Sequence, residues 1–169
     1  MSREHLMEEL ENLRKKYKPE EIRILFVGES PPKRKFFYDE RGSNLGRATK
    51  EAFEKTFQKE FRNYKDFLKF FKSKGCYLVD LFQERGKKIV CATEEEKREA
   101  EKKLKKFIAK HKPKIVVAVL KRIHRNVEKA VKDGEVRPLP FPLGMHKDKY
   151  IKGLIKILKE HYHHAPTTE

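Results

Sequence analysis

A chain of 169 residues is long enough to bury the core of one domain and too short for two ordinary domains. Its 42 Lys and Arg residues against 26 Asp and Glu residues give a net charge of +16, a field that favours polyanions, with nucleic acid first. The alternative, a surface rich in Lys and Glu that suits high temperature, accounts for the 40% of charged residues but not for the excess of positive charge.

The sequence pattern of the first part of the chain predicts a helix, a strand and a long loop. Leucines at helical spacing predict a short amphipathic helix near residues 4–16, and the apolar run at 22–27 is typical of a buried strand. Residues 28–43 then form a loop rich in proline, glycine and charge, which opens with the sequence GESPP. A strand that ends in a carboxylate, a hydroxyl and two prolines indicates a functional loop rather than a simple turn.

Three further helices and a second strand are predicted next. The segment NLGRATKEAFEKTF predicts a helix from about residue 45, and YKDFLKFFKSKG predicts another that stops at Gly75. The apolar segment CYLVDLF is typical of a strand. Thr93 and Glu96, three residues apart, form the capping-box pattern at the start of a helix that closes at Pro113.

The remaining elements complete the alternation. KIVVAVL is the most apolar strand and is predicted to be central, RNVEKAVKDG is a helix stopped by Gly134, VRPLPF is the fourth strand, and HKDKYIKGLIKIL is the last helix. This alternation predicts one α/β domain over 1–169, with a four-stranded parallel sheet between helical layers. Ligands in such folds bind at the carboxyl ends of strands, which here are 28–47, 80–91, 120–125 and 139–150.

The cysteines and the chain termini bear on cofactors and location. Cys76 and Cys91 lack C-x-x-C spacing and are too few for a zinc site or an iron–sulfur cluster, so no metal and no cofactor is expected. Two cysteines also fit a reducing, cytoplasmic setting. The N-terminus has no apolar signal core and no run reaches membrane-spanning length, so we expect a soluble monomer. The tail at 163–169 is expected to be frayed.

Three segments at predicted strand ends, ILFVGESPP, GCYLVDLF and LPFPLGMH, together resemble the uracil-DNA glycosylase superfamily. The nearest pattern is that of its iron–sulfur family. The first motif of that family, G-E-x-P-G, is matched by Gly28 to Pro32 with Pro in the last place, and its G-R-A helix start is matched by Gly46 to Ala48. The resemblance covers about 22–160. It implies a three-layer α/β/α sandwich and the removal of damaged or deaminated bases from DNA, as in base excision repair.

The chain departs from that family at several positions. Leu139 stands where the family has the histidine that steadies the departing base, and His146 is an alternative imidazole seven residues later. Ser30 takes the place of the water-activating Asp of the main uracil family. Asp80 takes the place of the Asn that reads uracil, Asn44 falls near the stacking Phe, and the cluster cysteines are absent. The resemblance therefore implies the scaffold more strongly than the uracil specificity.

The chemistry of base removal suggests roles for three residues. Cleaving an N-glycosidic bond builds positive charge on the sugar and negative charge on the base, so it needs a carboxylate near the sugar and donors near the base. Glu29, with Ser30 beside it, is the candidate carboxylate, and His146 is the candidate donor. The alternatives are a Glu that satisfies loop or helix N–H groups and a histidine that is simply on the surface.

A flipped base must also be read and stacked. Asp80 is the candidate reader. An ionised Asp only accepts hydrogen bonds, so it favours an exocyclic amino group or a ring N–H unless burial protonates it. Phe36 or Phe37 is the candidate stacking ring in place of Asn44. The alternatives are an Asp80 that caps a turn and aromatic rings that pack in the core.

Basic side chains and rigid prolines near the strand ends are the candidate DNA contacts: Lys33, Arg34, Arg41, Arg47, Pro140, Pro142 and Lys147. Their alternatives are solvated charges and ordinary turns.

Three functions remain open. They are a DNA glycosylase, a catalytically weak or silent member that only binds nucleic acid, and a small-molecule nucleotide hydrolase. The last of these would not need a charge of +16.

Overall fold

The computed structural model describes residues 2–132 and 134–162, so the tail at 163–169, predicted to be frayed, lies outside the described residues. Four parallel strands form one sheet in the order β2-β1-β3-β4. The strands are β1 Ile24–Gly28, β2 Cys76–Asp80, β3 Ile115–Val119 and β4 Glu135–Leu139. The α/β prediction with a four-stranded parallel sheet is therefore confirmed.

Helices cover both sides of this sheet and make the three-layer sandwich. They are α1 Arg3–Lys16, α2 Asn44–Phe57, α3 Tyr64–Ser73, α4 Glu94–His111, α5 His124–Ala130 and α6 Lys147–Tyr162. Helix α2 packs on α6, and α4 packs on α5. Within the described part of the chain, no helix is long and apolar enough to cross a membrane.

The central strands are the two most apolar segments of the chain. Every residue of β1 and of β3 is buried, as expected for strands that have neighbours on both sides and helices on both faces. Strand β4 is an edge strand that pairs only with β3 among the described strands. It can therefore contain Pro138, which has no N–H to donate to a second neighbour.

The helix signals in the sequence are confirmed at all but one end. Thr93 and Glu96 form the predicted capping box, and Gly75 adopts the left-handed φ of +75° just after α3. The prediction that Gly134 stops α5 is wrong. The helix ends at Ala130 because the Val131 N–H bonds the carbonyl of Glu128 in a tighter turn, after which the backbone is extended.

Candidate functional site

A cleft of about 820 Å³ lies at the carboxyl edge of the sheet. Its walls come from all four segments that the sequence predicted: the ends of β1, β2 and β3, the loops after them, and the segment that follows β4. The volume is in the range that holds a nucleotide-sized ligand. The β1–α2 loop, which begins with the GESPP sequence, forms a large part of the wall.

Two tyrosines fix this loop, one buried (Tyr38) and one partly buried (Tyr64). The hydroxyl of Tyr38 donates to the carbonyl of Leu78 at 3.0 Å and accepts from its N–H at 2.6 Å, which ties the loop to edge strand β2. The hydroxyl of Tyr64 donates to the carbonyl of Phe37. It lies against Gly46 so closely that a Cβ there would collide with it. The glycine of the G-R-A segment therefore serves close packing at the start of α2.

Glu29 lies in the cleft wall and holds three segments together. Its two carboxylate oxygens accept a bidentate pair of hydrogen bonds from Arg122, at 2.8 and 3.1 Å. The backbone N–H of Ile89 donates to the same carboxylate at 2.8 Å. Bidentate, charge-assisted bonds of this kind are the strong ones. Glu29 thus combines a place in the cleft with the loop-satisfying role that was its alternative interpretation.

Asp80 ends β2 directly beside Gly28 of β1, its partner in the parallel register. A Cβ at residue 28 would lie 2.7 Å from Oδ1 of Asp80, so the glycine of GESPP leaves room for this carboxylate. The Nη2 of Arg14 bonds Oδ2 of Asp80 at 3.3 Å, and both side chains are buried. Burial raises the pKa of Asp80 to about 6, and the Arg14 guanidinium opposes the rise. Asp80 is therefore mainly ionised above that pH.

Arg14 is a residue of this site that the sequence analysis missed. It lies on α1, and its guanidinium also covers the ring of Phe36, 5.2 Å from the centroid. Its signal in the sequence was its position: it follows the buried Leu10 by four residues and so continues the apolar stripe of the helix. A charged residue on such a stripe indicates a buried partner elsewhere in the fold.

The two candidate stacking rings are buried. Phe36 and Phe37 line the cleft but are 2% and 3% exposed, and Phe37 packs on Tyr38 and Phe71. Core packing, the alternative interpretation of these rings, therefore holds for both of them. A third ring in the cleft wall, Phe141, is only partly buried and offers more surface to a ligand. The sequence analysis quoted this residue within LPFPLG without giving it a role.

The segment after β4 forms an exposed rim of the cleft. His146 is exposed and lines the cleft in a short 3₁₀ turn just before α6. Leu143 and Met145, on the same rim, are 61% and 86% exposed. Exposed apolar side chains of this size beside a ligand cleft indicate a contact surface. Leu139 is buried at the end of β4 instead.

Most of the charged side chains that line the cleft are basic. Five cationic side chains line it, against the two carboxylates of Glu29 and Asp80: Arg34, Lys35, Lys88, Lys121 and Arg122. Of the predicted contacts, Ser30, Arg34, Asn44 and Pro140 also line the cleft. Clefts lined by one sign of charge concentrate the field and attract ligands of the opposite sign.

The other predicted DNA contacts lie outside the cleft: Lys33, Arg41, Arg47, Pro142 and Lys147. Arg41 pairs with Asp39 at 2.9 Å, and Arg47 bonds the side chain of Asn44 at 2.8 Å. The side chain of Lys33 packs against Gly86, the Nζ of Lys147 lies 3.8 Å from Glu51, and Pro142 is buried. The four basic residues are exposed and remain candidates for the flanks of a bound nucleic acid.

In residues 2–132 and 134–162, no three His, Cys, Asp or Glu side chains cluster as a metal site requires.

A comparison with protein-family models finds no match for this chain, and a search of curated proteins finds no match either. The case for a function therefore depends on the geometry and charge of the cleft.

Proposed function

We propose that this protein binds DNA and is a DNA glycosylase of the kind that the resemblance to the uracil-DNA glycosylase superfamily implies, removing a damaged or deaminated base. One observation carries the proposal. A basic cleft at the carboxyl edge of the sheet brings together two carboxylates, a partly exposed aromatic ring and an apolar rim. The basic side chains can contact phosphate, a carboxylate can face the sugar, and the aromatic ring can stack on the base.

The basic side chains of the cleft suit the phosphate backbone. Arg34 and Lys35 approach from the first loop, and Lys121 approaches from the loop after β3. Contacts of this kind fix the position of the nucleic acid without reading its sequence. At the rim, Leu143 and Met145 are placed to wedge between bases, which lowers the cost of extruding a nucleotide into the cleft.

The inner part of the cleft suits a flipped base. Phe141 provides the stacking face, and the ionised carboxylate of Asp80 accepts hydrogen bonds from the edge of the base. In the reaction, the bond between C1′ and the base nitrogen breaks and leaves its electrons on the base. A water oxygen then bonds to C1′ and releases a proton. Glu29 stabilises the cationic sugar, with Ser30 beside it, and His146 donates toward the base.

The alternative is a protein that binds nucleic acid without removing a base. It is favoured by one observation: both oxygens of Glu29 already accept hydrogen bonds from Arg122 and the N–H of Ile89. A carboxylate held in this way supplies negative charge, while its oxygens are engaged by protein donors rather than by a water. In either case we propose a monomer in the cytoplasm, in keeping with free thiols at Cys76 and Cys91.

The decisive experiment uses a panel of oligonucleotides, each with one altered base, followed by alkali to reveal abasic sites. Strand cleavage with one or a few of these substrates supports the glycosylase. Tight binding without cleavage across the whole panel supports the silent binder. Cleavage of free nucleotides with weak DNA affinity at moderate salt supports a small-molecule hydrolase instead.

DNA binding is expected to be independent of sequence and strongly dependent on salt, because release of counterions dominates when cationic side chains contact phosphates. The measurement is the affinity for one oligonucleotide at several salt concentrations. Each phosphate contact should add about 0.9 to the slope of log affinity against log salt on duplex DNA. A plot without slope would contradict the proposal.

Asp80 is expected to set the base preference against uracil, because its ionised carboxylate would face the carbonyl oxygens of that base. A buried polar group left unpaired by the wrong base costs about 1–3 kcal/mol. Asp80→Asn should therefore raise any uracil activity and lower activity on the preferred, donor-rich base. The measurement is the initial rate of base release by both proteins over the same panel. Robust uracil release by the parent, unchanged in Asp80→Asn, would remove Asp80 from base reading.

A further inference from the structure

A second basic surface lies at the opposite edge of the sheet, where the strands begin. We name it the amino-edge surface. It is formed by the ends of α1, α3 and α4 and by the segments that lead into β1, β2 and β3. Its nine cationic residues are Lys15, Lys16, Lys18, Arg23, Lys72, Lys74, Lys110, Lys112 and Lys114.

Contacts show that these residues belong to one surface. The Nζ of Lys72 bonds the carbonyl of Lys16 at 3.1 Å, which joins the end of α3 to the end of α1. The N–H of Arg23 bonds the carbonyl of Gly75 at 2.7 Å, and the N–H of Lys114 bonds the carbonyl of Arg23 at 2.9 Å. The surface is thus continuous across the starts of the three strands β2, β1 and β3.

The cations of the amino-edge surface lack carboxylate partners. None of the nine comes within 4.0 Å of an Asp or Glu oxygen in the described part of the chain. Lysines elsewhere do pair, such as Lys50 with Glu54 and Lys87 with Glu96. Like charges gathered without carboxylates to neutralise them repel one another and favour an anionic ligand.

The negative charge at the C-terminal ends of the helices is too small to neutralise these cations. Helices α1, α2, α3, α4 and α6 all end at this edge. Each C-terminus carries about −0.5 of an elementary charge, so the five together supply about −2.5. Glu20 and Glu21, in the segment before β1, add two negative charges. Against nine cations, an excess of about 4.5 positive charges remains by this estimate. The same positive charges act on the pKa values of two histidines. After burial, the main causes that lower the pKa values of His111 and His161 are nearby Lys and Arg residues.

The chemistry of the surface selects the partner. The large apolar residues that are exposed in the described chain are Met7, Val90, Leu143 and Met145, and none belongs to this edge. A membrane surface or a protein partner favours apolar anchors among the charges, whereas a phosphate backbone is bound by cations alone. The surface is separated from the cleft by strands of five residues, or roughly 17 Å at about 3.3 Å per residue.

We propose that the amino-edge surface binds the phosphate backbone of a second nucleic-acid segment, so that one protein molecule bridges two duplexes. The sheet and its helices separate the two surfaces, and one straight duplex cannot lie on both. The inference rests on the proposed binding of DNA in the cleft and on the charge of the amino edge, but not on catalysis.

The test compares two triple variants with the same change in net charge. The first replaces three exposed lysines of the surface that form no ion pair within the described residues: Lys15→Gln, Lys110→Gln and Lys114→Gln. The matched control replaces three exposed lysines of α6: Lys149→Gln, Lys152→Gln and Lys156→Gln. Bridging is measured as energy transfer between donor-labelled and acceptor-labelled duplexes at low salt. Binding of a single duplex and the melting temperature are measured in parallel.

The amino-edge variant is expected to lose bridging at least tenfold while it still binds one duplex, and the control is expected to keep both. Bridging by the amino-edge variant equal to that of the control would overturn the inference. Loss of all DNA binding in that variant alone would assign DNA binding to the amino-edge surface, contradict binding in the cleft and so overturn bridging by one molecule. Binding of the parent to phosphatidylserine vesicles that only the amino-edge variant loses, with bridging unchanged, would assign the surface to a membrane instead.

Discussion

Arg14→Met is expected to lower the free energy of unfolding by about 3–5 kcal/mol at pH 8, and by much less at pH 5. The guanidinium of Arg14 is the buried partner of the Asp80 carboxylate, at 3.3 Å. Removing one member of a buried ion pair leaves the other as an uncompensated charge. At pH 5 Asp80 escapes this cost, because it takes up a proton and becomes neutral.

The direction of this pH dependence follows from the raised pKa of Asp80. That pKa is about 6 in the folded protein, above the ordinary value of 3.8, so the folded state binds the proton more tightly. The unfavourable contribution of this carboxyl group is therefore greatest above pH 6, and it disappears as the pH falls from about 6 to about 4. Loss of Arg14 raises the pKa of Asp80 further and widens that window.

The measurement is urea denaturation of parent and variant at pH 8 and pH 5. The control is the double variant Arg14→Met with Asp80→Asn, in which both charges are gone. It should be close to the parent in stability, with a difference that does not change with pH, because replacing a buried pair by neutral groups is often nearly neutral. An equal loss of stability at both pH values in Arg14→Met would show that packing, not the buried charge, determines the effect.

The architecture was predictable because its signals are local. The apolar runs of β1 and β3 cannot be exposed, and a parallel sheet with covered faces is the arrangement that buries both. The capping box at Thr93 needs only four consecutive residues. The end of α5 was not predictable in this way, since a turn at Val131 closes the helix before the glycine signal at Gly134 is reached.

The position of the candidate site could be predicted from the sequence, but the arginines that pair with its carboxylates could not. Gly28 and Asp80 are the last residues of their strands and Glu29 follows one, so the rule for parallel sheets brings them to one edge. Arg14 is 66 residues away from Asp80 in sequence, and Arg122 is 93 residues away from Glu29. No local pattern encodes pairs at that separation, and each changes what its carboxylate is able to do. Burial of Phe37 likewise depends on how α3 packs beneath the loop, and burial of Phe36 depends on the cover by Arg14 of α1.

Glu29→Gln is expected to reduce base release by about 100-fold or more while DNA affinity stays within a few-fold. The amide oxygen still accepts the N–H of Ile89, so the loop is expected to keep its fold. The negative charge that we propose to face the sugar cation is lost. Rates are measured in single turnover at saturating protein, which removes any change in affinity from the comparison. Equal rates for the variant and the parent would exclude Glu29 from the mechanism.

Arg122→Gln separates the charge of Glu29 from its role in holding the loops together. This variant breaks the bidentate pair but leaves the carboxylate, which still accepts the N–H of Ile89 at 2.8 Å. If Glu29 acts through its charge, Arg122→Gln should keep or increase the single-turnover rate, because the carboxylate is no longer neutralised by a guanidinium. Its affinity for DNA should fall, because Arg122 also lines the cleft. If Glu29 serves only to anchor Arg122, both variants should lose base release to the same extent.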